Sequence, residues 1–341
     1  MNNECFRFIY LPPAVFSSPA RLLVDECLTL MKRICTVCTP APATAKDLLQ
    51  KVQNQCIPCD VKALDHCLRG GFRIGTITEI VGRAGVGKTQ LVMQICVVAA
   101  RLGYGSIFID TEKKLSLQRL HEIARERSKS NSSAQNHDDE KNNSTQDQNV
   151  CEYIRPAEVM KNIVVHAPAS TDELLSVVSQ LDEEIIIRSE PPASSEDSSD
   201  AQLPIKVIIL DSIAAPTRRD FGGGSAPQRV AAIFQLAQTL KRVADQMQVA
   251  VIVINQIDKV HSAPVDQPLE GDVSSVKAAL GTSWHHCVST RIALEHYHDP
   301  HNTSVLEGNR VRTASVVKSN LVGQSRMLFE VTIIGICQVN C

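Results

Sequence analysis

"EIVGRAGVGKTQ", residues 79–90, reads as the end of an apolar strand, a glycine-rich turn and the opening of a helix. The run before it, "TITEIV", is β-type, and "QLVMQICVVAARL" after it is helical, which is the context the pattern G-x-x-x-x-G-K-[ST] requires before it carries meaning. Gly82, Arg83, Ala84, Gly85, Val86, Gly87, Lys88 and Thr89, with Gln90 beside them, are therefore the expected phosphate-binding set. Glycines let backbone N–H groups turn inward around phosphates, and the helix N-terminus adds partial positive charge. Lys88 is placed to reach the β and γ phosphates and the Thr89 hydroxyl to ligate Mg²⁺.

Outward from this turn the chain alternates strand-like and helix-like runs: "SIFID", "LQRLHEIARER", "NIVVHA", "DELLSVVSQLDEE", "KVIILD", a helix at 227–247 and "VAVIVINQ". Continuous apolar strands between amphipathic helices predict an α/β fold whose mostly parallel central sheet is covered on both faces. "VSTRIALE", "VRTASVVKS" and "MLFEVTIIG" follow without long helices between them and predict an antiparallel C-terminal edge. Three strand ends carry polar groups. "KVIILDS" ends in Asp211, a carboxylate able to hold the Mg²⁺ shell, and "SIFIDTEKKLS" delivers Glu112, able to polarise the water that attacks a γ-phosphate. "VIVINQI" offers Asn255 and Gln256, neutral groups able to sense that phosphate. In open α/β sheets such strand ends converge on one crevice.

The chain has 341 residues, of which 43% are hydrophobic, enough for one large α/β domain with a small appendage. Lys and Arg number 35 against 37 Asp and Glu, so any nucleic-acid contact must come from local loops and not from a global basic field. "MNNECFRFIYLPPAVF" lacks the charge pattern and apolar stretch of a signal peptide, and no run has the length of a membrane span, so an intracellular protein with no membrane partner is expected. Residues 18–34 and 44–53 have helical spacing and form a helical N-terminal region over residues 1–55, ahead of a core over 56–341. Two stretches poor in apolar residues, 128–150 and 189–202, read as disordered insertions. Of 12 cysteines, Cys35, Cys38, Cys56 and Cys59 have the C-x2-C spacing of a zinc site. Packed free thiols are the favoured reading, because a helix-like run separates the two pairs. "HYHDPH" (His296, His298, His301) reads as a solvated turn, Trp284 as a packing anchor, and Lys318 with Asn320 as a solvated strand end or a pair facing an adjoining nucleotide.

"GRAGVGKTQ", "FIDTE", "VIILDS" and "INQI", in this order, resemble the RecA-type recombinase family from about Val61 to the C-terminus. "LRGGFRIGTITEIVG", "DSIAAPTRRDF" and "LGTSWHHCVSTRIAL" are most similar to the eukaryotic recombinase-paralogue branch. The resemblance implies a RecA-like P-loop ATPase core with ATP and Mg²⁺ as cofactors. It assigns Mg²⁺ to Thr89 and Asp211, water activation to Glu112, phosphate contact to Lys88, and to Gln256 the coupling of nucleotide state to the loop after it. It also implies two DNA-facing loops, 217–229 with Arg218, Arg219 and Arg229, and 257–281 with Lys259 and Lys277. The second is rich in carboxylates and lacks an aromatic platform, so it reads equally as a plain crossover. The linker at 39–58 has no F-x-x-A segment, which makes long homofilaments an unfavoured outcome. The implied function is a slow ATPase in homologous-recombination repair of double-strand breaks. It would act on single-stranded or branched DNA with another recombinase paralogue and the main recombinase, in the nucleus. A filament-forming strand-exchange recombinase and a scaffold with a structural ATP site are the rival readings.

Overall fold

A computed structural model describes residues 31–33, 44–46, 55–134, 155–189, 202–221, 226–256, 280–297 and 310–339. The chain divides into two units, Met1–Asn54 and Gln55–Cys341. In the first, residues 31–33 and 45–46 are helical and exposed; the rest of the expected helical region lies outside the described residues, as do Cys35 and Cys38.

The second unit opens with β1 (Cys56–Ile57), α1 (Lys62–Cys67) and β2 (Phe72–Arg73), β1 and β2 pairing antiparallel. There follow β3 (Ile77–Gly82), α2 (Lys88–Arg101), β4 (Gly105–Asp110), α3 (Leu117–Ala134), α4 (Pro156–Lys161), β5 (Ile163–His166) and α5 (Thr171–Ser189). β6 (Ile205–Asp211), α6 (Ala214–Asp220), α7 (Ala226–Met247) and β7 (Ala250–Gln256) complete the parallel part. The chain closes with α8 (Gly281–Cys287), β8 (Thr290–His296), β9 (Val311–Ser319), β10 (Ser325–Thr332) and β11 (Gly335–Gln338). Among the described residues the main sheet has nine strands in the order β11-β10-β9-β8-β3-β7-β6-β4-β5. No described helix is long and apolar enough to cross a membrane.

Pairing is parallel from β8 across to β5 and antiparallel from β8 outward to β11. The expected antiparallel edge is thus present, and β8 joins it to the core, parallel to β3 on one side and antiparallel to β9 on the other. The fourth outer strand, β11, is only four residues long and went unread in the sequence. Inner strands β3 and β4 are buried at every position, which is why their sequences show no alternation. Ile80, Phe108, Ile209 and Ile252 pack toward α2 with Leu91, Ile95 and Ala99. Ile77, Ile107, Ile208 and Val251 pack the other way, on Leu174, Val178 and Leu181 of α5 and Leu236 and Leu240 of α7.

Two further expectations change. Helix α3 runs to Ala134, well into the stretch expected to be a disordered insertion. Its entry into that stretch is anchored by Arg127, which is buried and donates to Asp60 Oδ2 at 2.6 Å and to the Ile334 carbonyl at 2.9 Å. Residues 135–150 and 190–201 lie outside the described residues. The expected loop at 217–229 begins inside α6, where Thr217 is fully buried, and ends inside α7; only residues 222–225 between them lie outside the described residues.

At the tip of β3 the neighbouring strand approaches closely. A Cβ on Gly82 would stand 2.5 Å from the Leu294 carbonyl oxygen and 2.9 Å from Val86 Cγ1. Gly82→Ala is therefore expected to cost about 1–3 kcal/mol in urea unfolding, the usual penalty of overpacking. Gly323→Ala, where an added Cβ meets nothing within 4 Å, serves as the neutral comparison.

Candidate functional site: a phosphate loop at the rim of the sheet

The glycine-rich turn joins β3 to α2 and uses two left-handed residues, Gly85 at φ 80° and Gly87 at φ 105°. A side chain at either would be strained, and the backbone they shape faces the helix N-terminus, where anions are favoured. Val86 is wholly buried and plugs the turn into the core, while Arg83 and Ala84 are exposed. Lys88 is the first residue of α2, and its ammonium donates to the carbonyls of Gly82 and Arg83, each at 2.7 Å. Burial draws its pKa below the usual lysine value, against the opposing pull of Asp211 and Glu112.

Thr89 Oγ1 donates to Asp211 Oδ2 at 2.7 Å, so the two expected Mg²⁺ ligands are in contact. Burial pushes Asp211 up to about 6; the nearby Glu112 and Asp110 charges add to the rise, and the Thr89 hydrogen bond opposes it. A divalent cation fits this oxygen pair, because hard cations take carboxylate and hydroxyl ligands and would relieve the crowding of the three carboxylates. Thr89 and Asp211 would hold such a cation, which would supply neutralisation of phosphate charge.

Glu112 stands two residues past the end of β4. Asp110 accepts the N–H groups of Lys114 at 3.1 Å and Leu115 at 2.8 Å, folding the turn that carries Glu112. Thr111 then fastens that turn to the end of β6. Its hydroxyl donates to the Ser212 carbonyl at 2.7 Å and accepts the Ser212 N–H at 2.9 Å. Both Glu112 oxygens are engaged, one by the Ser212 hydroxyl at 2.9 Å and the other by the Lys114 ammonium. Burial raises the Glu112 pKa, but the bonds from Lys114 and Ser212 and the charges of Lys114 and Arg218 outweigh it, leaving it below the usual glutamate value.

Gln256 ends β7 and pairs in register with Gly82, which places it beside the start of the phosphate loop. Gln90 turns away toward α3, where its carbonyl oxygen accepts from Arg119 Nε at 2.8 Å. Arg218 and Arg219 belong to α6 and not to a free loop: Arg218 Nε donates to the Ala214 carbonyl at 3.4 Å, and Arg219 bonds the Ala169 carbonyl. Arg229 is half-buried in the first turn of α7. Lys259 and Lys277 lie outside the described residues. Lys318, on β9, donates to the carbonyls of His285 and Val288, so it serves the fold of α8.

One constellation escaped sequence reading. Glu79, fully buried in the middle of β3, accepts from Arg291 Nε at 2.6 Å, from Trp284 Nε1 at 2.9 Å and from Asn255 Nδ2 at 2.9 Å. Asn255 therefore faces the core and not a γ-phosphate, correcting its expected role, and Trp284 is a hydrogen-bond donor as well as a packing anchor. The signal was available, since "TITEIV" and "STRIAL" each hold one charge inside an apolar strand and face each other only in the parallel pairing of β3 with β8. Cys59 is fully buried, with its N–H on Asp65 Oδ1 at 2.8 Å, and no group of three or more His, Cys, Asp or Glu side chains placed to hold a metal ion occurs among the described residues.

Two outcomes follow. Because Asp211 must lose a proton to bind a cation, Mg²⁺ affinity should be about tenfold weaker at pH 5 than at pH 7.5. In Asp211→Asn only the part due to protonation of the nucleotide itself should remain, so the difference between the two slopes in calorimetry isolates the Asp211 contribution. Glu79→Ala leaves Arg291 buried without its partner, so it should destabilise by about 3–5 kcal/mol in chemical denaturation, with much of the loss recovered when Arg291→Met is added.

Residues 50–150 and 192–336 match the Rad51 family. The DNA repair protein RAD51 homolog 2 of Homo sapiens is 28% identical over 323 residues, which span 86% of this chain and 74% of that protein. The DNA repair protein XRCC3 homolog of Arabidopsis thaliana is 26% identical over 314 residues, spanning 84% and 94% respectively. The DNA repair protein RAD51 homolog 3 of Dictyostelium discoideum is 31% identical over 241 residues, spanning 68% and 55%. These relatives represent several recombinase paralogues at similar identity, and the matched regions contain Lys88, Glu112, Asp211 and Gln256. With a phosphate loop, two carboxylates and a glutamine gathered at the rim of a mostly parallel sheet, the chain belongs to the Rad51 family, in its paralogue branch.

Proposed function

We propose that this chain binds Mg·ATP at the β3 phosphate loop and acts as a recombinase paralogue in homologous-recombination repair of DNA double-strand breaks. In this reading it promotes assembly or stability of the main recombinase on single-stranded DNA, in the nucleus and in complex with another paralogue. The observation that carries the reading is the meeting of Lys88, Thr89, Asp211 and Glu112 at one rim of the sheet in a chain of the Rad51 family. The similarity to DNA repair proteins supports the biological setting.

Residue roles follow from position. Backbone N–H groups of Gly82 to Thr89 and the Lys88 ammonium hold phosphates, while Gln90 secures α2 against α3. Thr89 and Asp211 hold Mg²⁺. Glu112 orients and polarises a water, and Gln256 reports nucleotide state toward the residues after β7. Arg218, Arg219 and Arg229, which flank residues 222–225, offer guanidinium groups to DNA phosphates without reading bases, with Lys259 and Lys277 contributing further charge. Hydrolysis is slow in the isolated chain because Glu112 is held by Lys114 and Ser212, which lowers its basicity.

The same engagement of Glu112 favours a second reading, a scaffold whose ATP pocket is structural. Two variants separate them. Lys88→Ala is expected to abolish ATP uptake measured by calorimetry, and Glu112→Gln to keep it while lowering hydrolysis about 10²–10⁴-fold. In cells lacking the protein, both should fail to restore a double-strand-break recombination reporter. Full rescue by Glu112→Gln, with only thermal stability lost in Lys88→Ala, would establish the scaffold instead.

A further inference from the structure

Among the described residues, the Glu79 cluster is a buried charged group that the reading above leaves unused. Glu79 lies three residues before Gly82, in a strand otherwise free of charge and fully covered. Its three donors come from three other elements: Asn255 from the end of β7, Arg291 from β8 and Trp284 from α8. In the chain, Asn255 and Trp284 stand on opposite sides of the stretch expected to face DNA. Asn255 also immediately precedes Gln256.

Stability alone does not explain such a cluster. Buried ion pairs are often matched or bettered by apolar side chains of the same volume. Here the arrangement also leaves Arg291 Nη2 and Asn255 Oδ1 without hydrogen-bond partners among the described residues. The Asn255 amide is oriented by the carboxylate, since the opposite orientation would set two acceptors against each other. What the cluster does achieve is geometric. One carboxylate fixes the end of β7 to the strand that feeds the phosphate loop, alongside the Val81–Asn255 and Gly82–Gln256 register of the backbone.

We propose that Glu79 is a positioning residue: through Asn255 it holds the β7 tip to the phosphate-loop strand, so that nucleotide state reaches Gln256 and sets DNA affinity. The inference rests on the Mg·ATP and DNA reading above and deepens it. The route is short, because Asn255 is covalently next to Gln256 and Glu79 shares β3 with Gly82. A displacement at the loop therefore meets a packed, hydrogen-bonded joint and not a compliant one.

The test uses the purified 341-residue chain, a fluorescent single-stranded oligonucleotide, and either a non-hydrolysable ATP analogue or ADP with Mg²⁺. Asn255→Leu keeps the branched side-chain skeleton and removes the donor; Trp284→Phe removes the donor on α8 and leaves Asn255 in place. The unaltered chain should bind DNA with an affinity that differs at least about fivefold between the two nucleotides, the lower range of ordinary coupling. In Asn255→Leu that ratio should fall to about one with nucleotide affinity retained, whereas Trp284→Phe should lower the unfolding temperature and keep the ratio. Hydrogen exchange on the unaltered chain gives a second readout, with amides 252–256 expected to slow when the ATP analogue binds. An unchanged ratio in Asn255→Leu, or exchange at β7 indifferent to bound nucleotide, overturns the inference and leaves the Mg·ATP reading standing. Absence of nucleotide uptake, or of any nucleotide effect on DNA binding in the unaltered chain, overturns that reading and the inference with it.

Discussion

Everything at the site depends on the parallel alignment of four strand ends. Gly82 pairs with Gln256, and Asp110 with Asp211, so the phosphate loop, two carboxylates and a glutamine reach the same edge of the sheet. A parallel sheet with helices on both faces has no room for chemistry along its strands, whose backbone groups are all used in pairing. Polar side chains can then act only where strands end, and the shared register decides which of them meet. The outer antiparallel strands serve this arrangement at a distance, since Gly87 stands against Val331 and Phe329 of β10.

Within the crevice, similar carboxylates behave differently because their partners differ. Asp211 is nearly buried, faces two other acids and carries one hydroxyl donor, so its proton is held up to about 6. Glu112 is less buried and gains an ammonium, a hydroxyl and the charge of Arg218, so it stays ionised below the usual range. The first environment suits a cation ligand, because a divalent ion relieves the cost of the charge. The second suits a group that orients water while its basicity is restrained. Lys114 is the exposed member of this set, and surface ion pairs contribute little stability, so its effect is on the chemistry of Glu112 more than on the fold.

A second electrostatic centre lies deeper. The Glu79–Arg291 pair is excluded from water, with side-chain exposures of 0% and 4%, and is completed by indole and amide donors. It joins strands that are far apart in the chain, and it sits on the α7 and α8 side of the sheet, away from α2. The molecule thus has one charged cluster at the rim, open to solvent chiefly at Lys114, and a dry one beneath, where charges fix strand positions.

What the sequence alone determined was what local pattern can carry. The turn "GRAGVGKTQ" reveals its chemistry because glycine spacing, lysine and threonine act within one loop, and the apolar runs ending at Asp211 and Asp110 reveal strands because burial on both faces imposes a continuous composition. The parallel core, the antiparallel edge and the Rad51-family character were all legible in this way. Tertiary structure alone decided what depends on neighbours distant in the chain. Asn255 looked like a phosphate sensor because its alternative partner, Glu79, is 176 positions away and comes alongside only through the β3–β7 pairing. Helix α3 outran its polar sequence because Arg127 reaches Asp60 and the β11 backbone. That β8 would pair in parallel with β3 as well as antiparallel with β9 was not legible from composition, since strand direction is set by which neighbours it meets. Period and propensity act over a few residues, whereas hydrogen bonding and charge pairing act across space, and the second kind chose the partners.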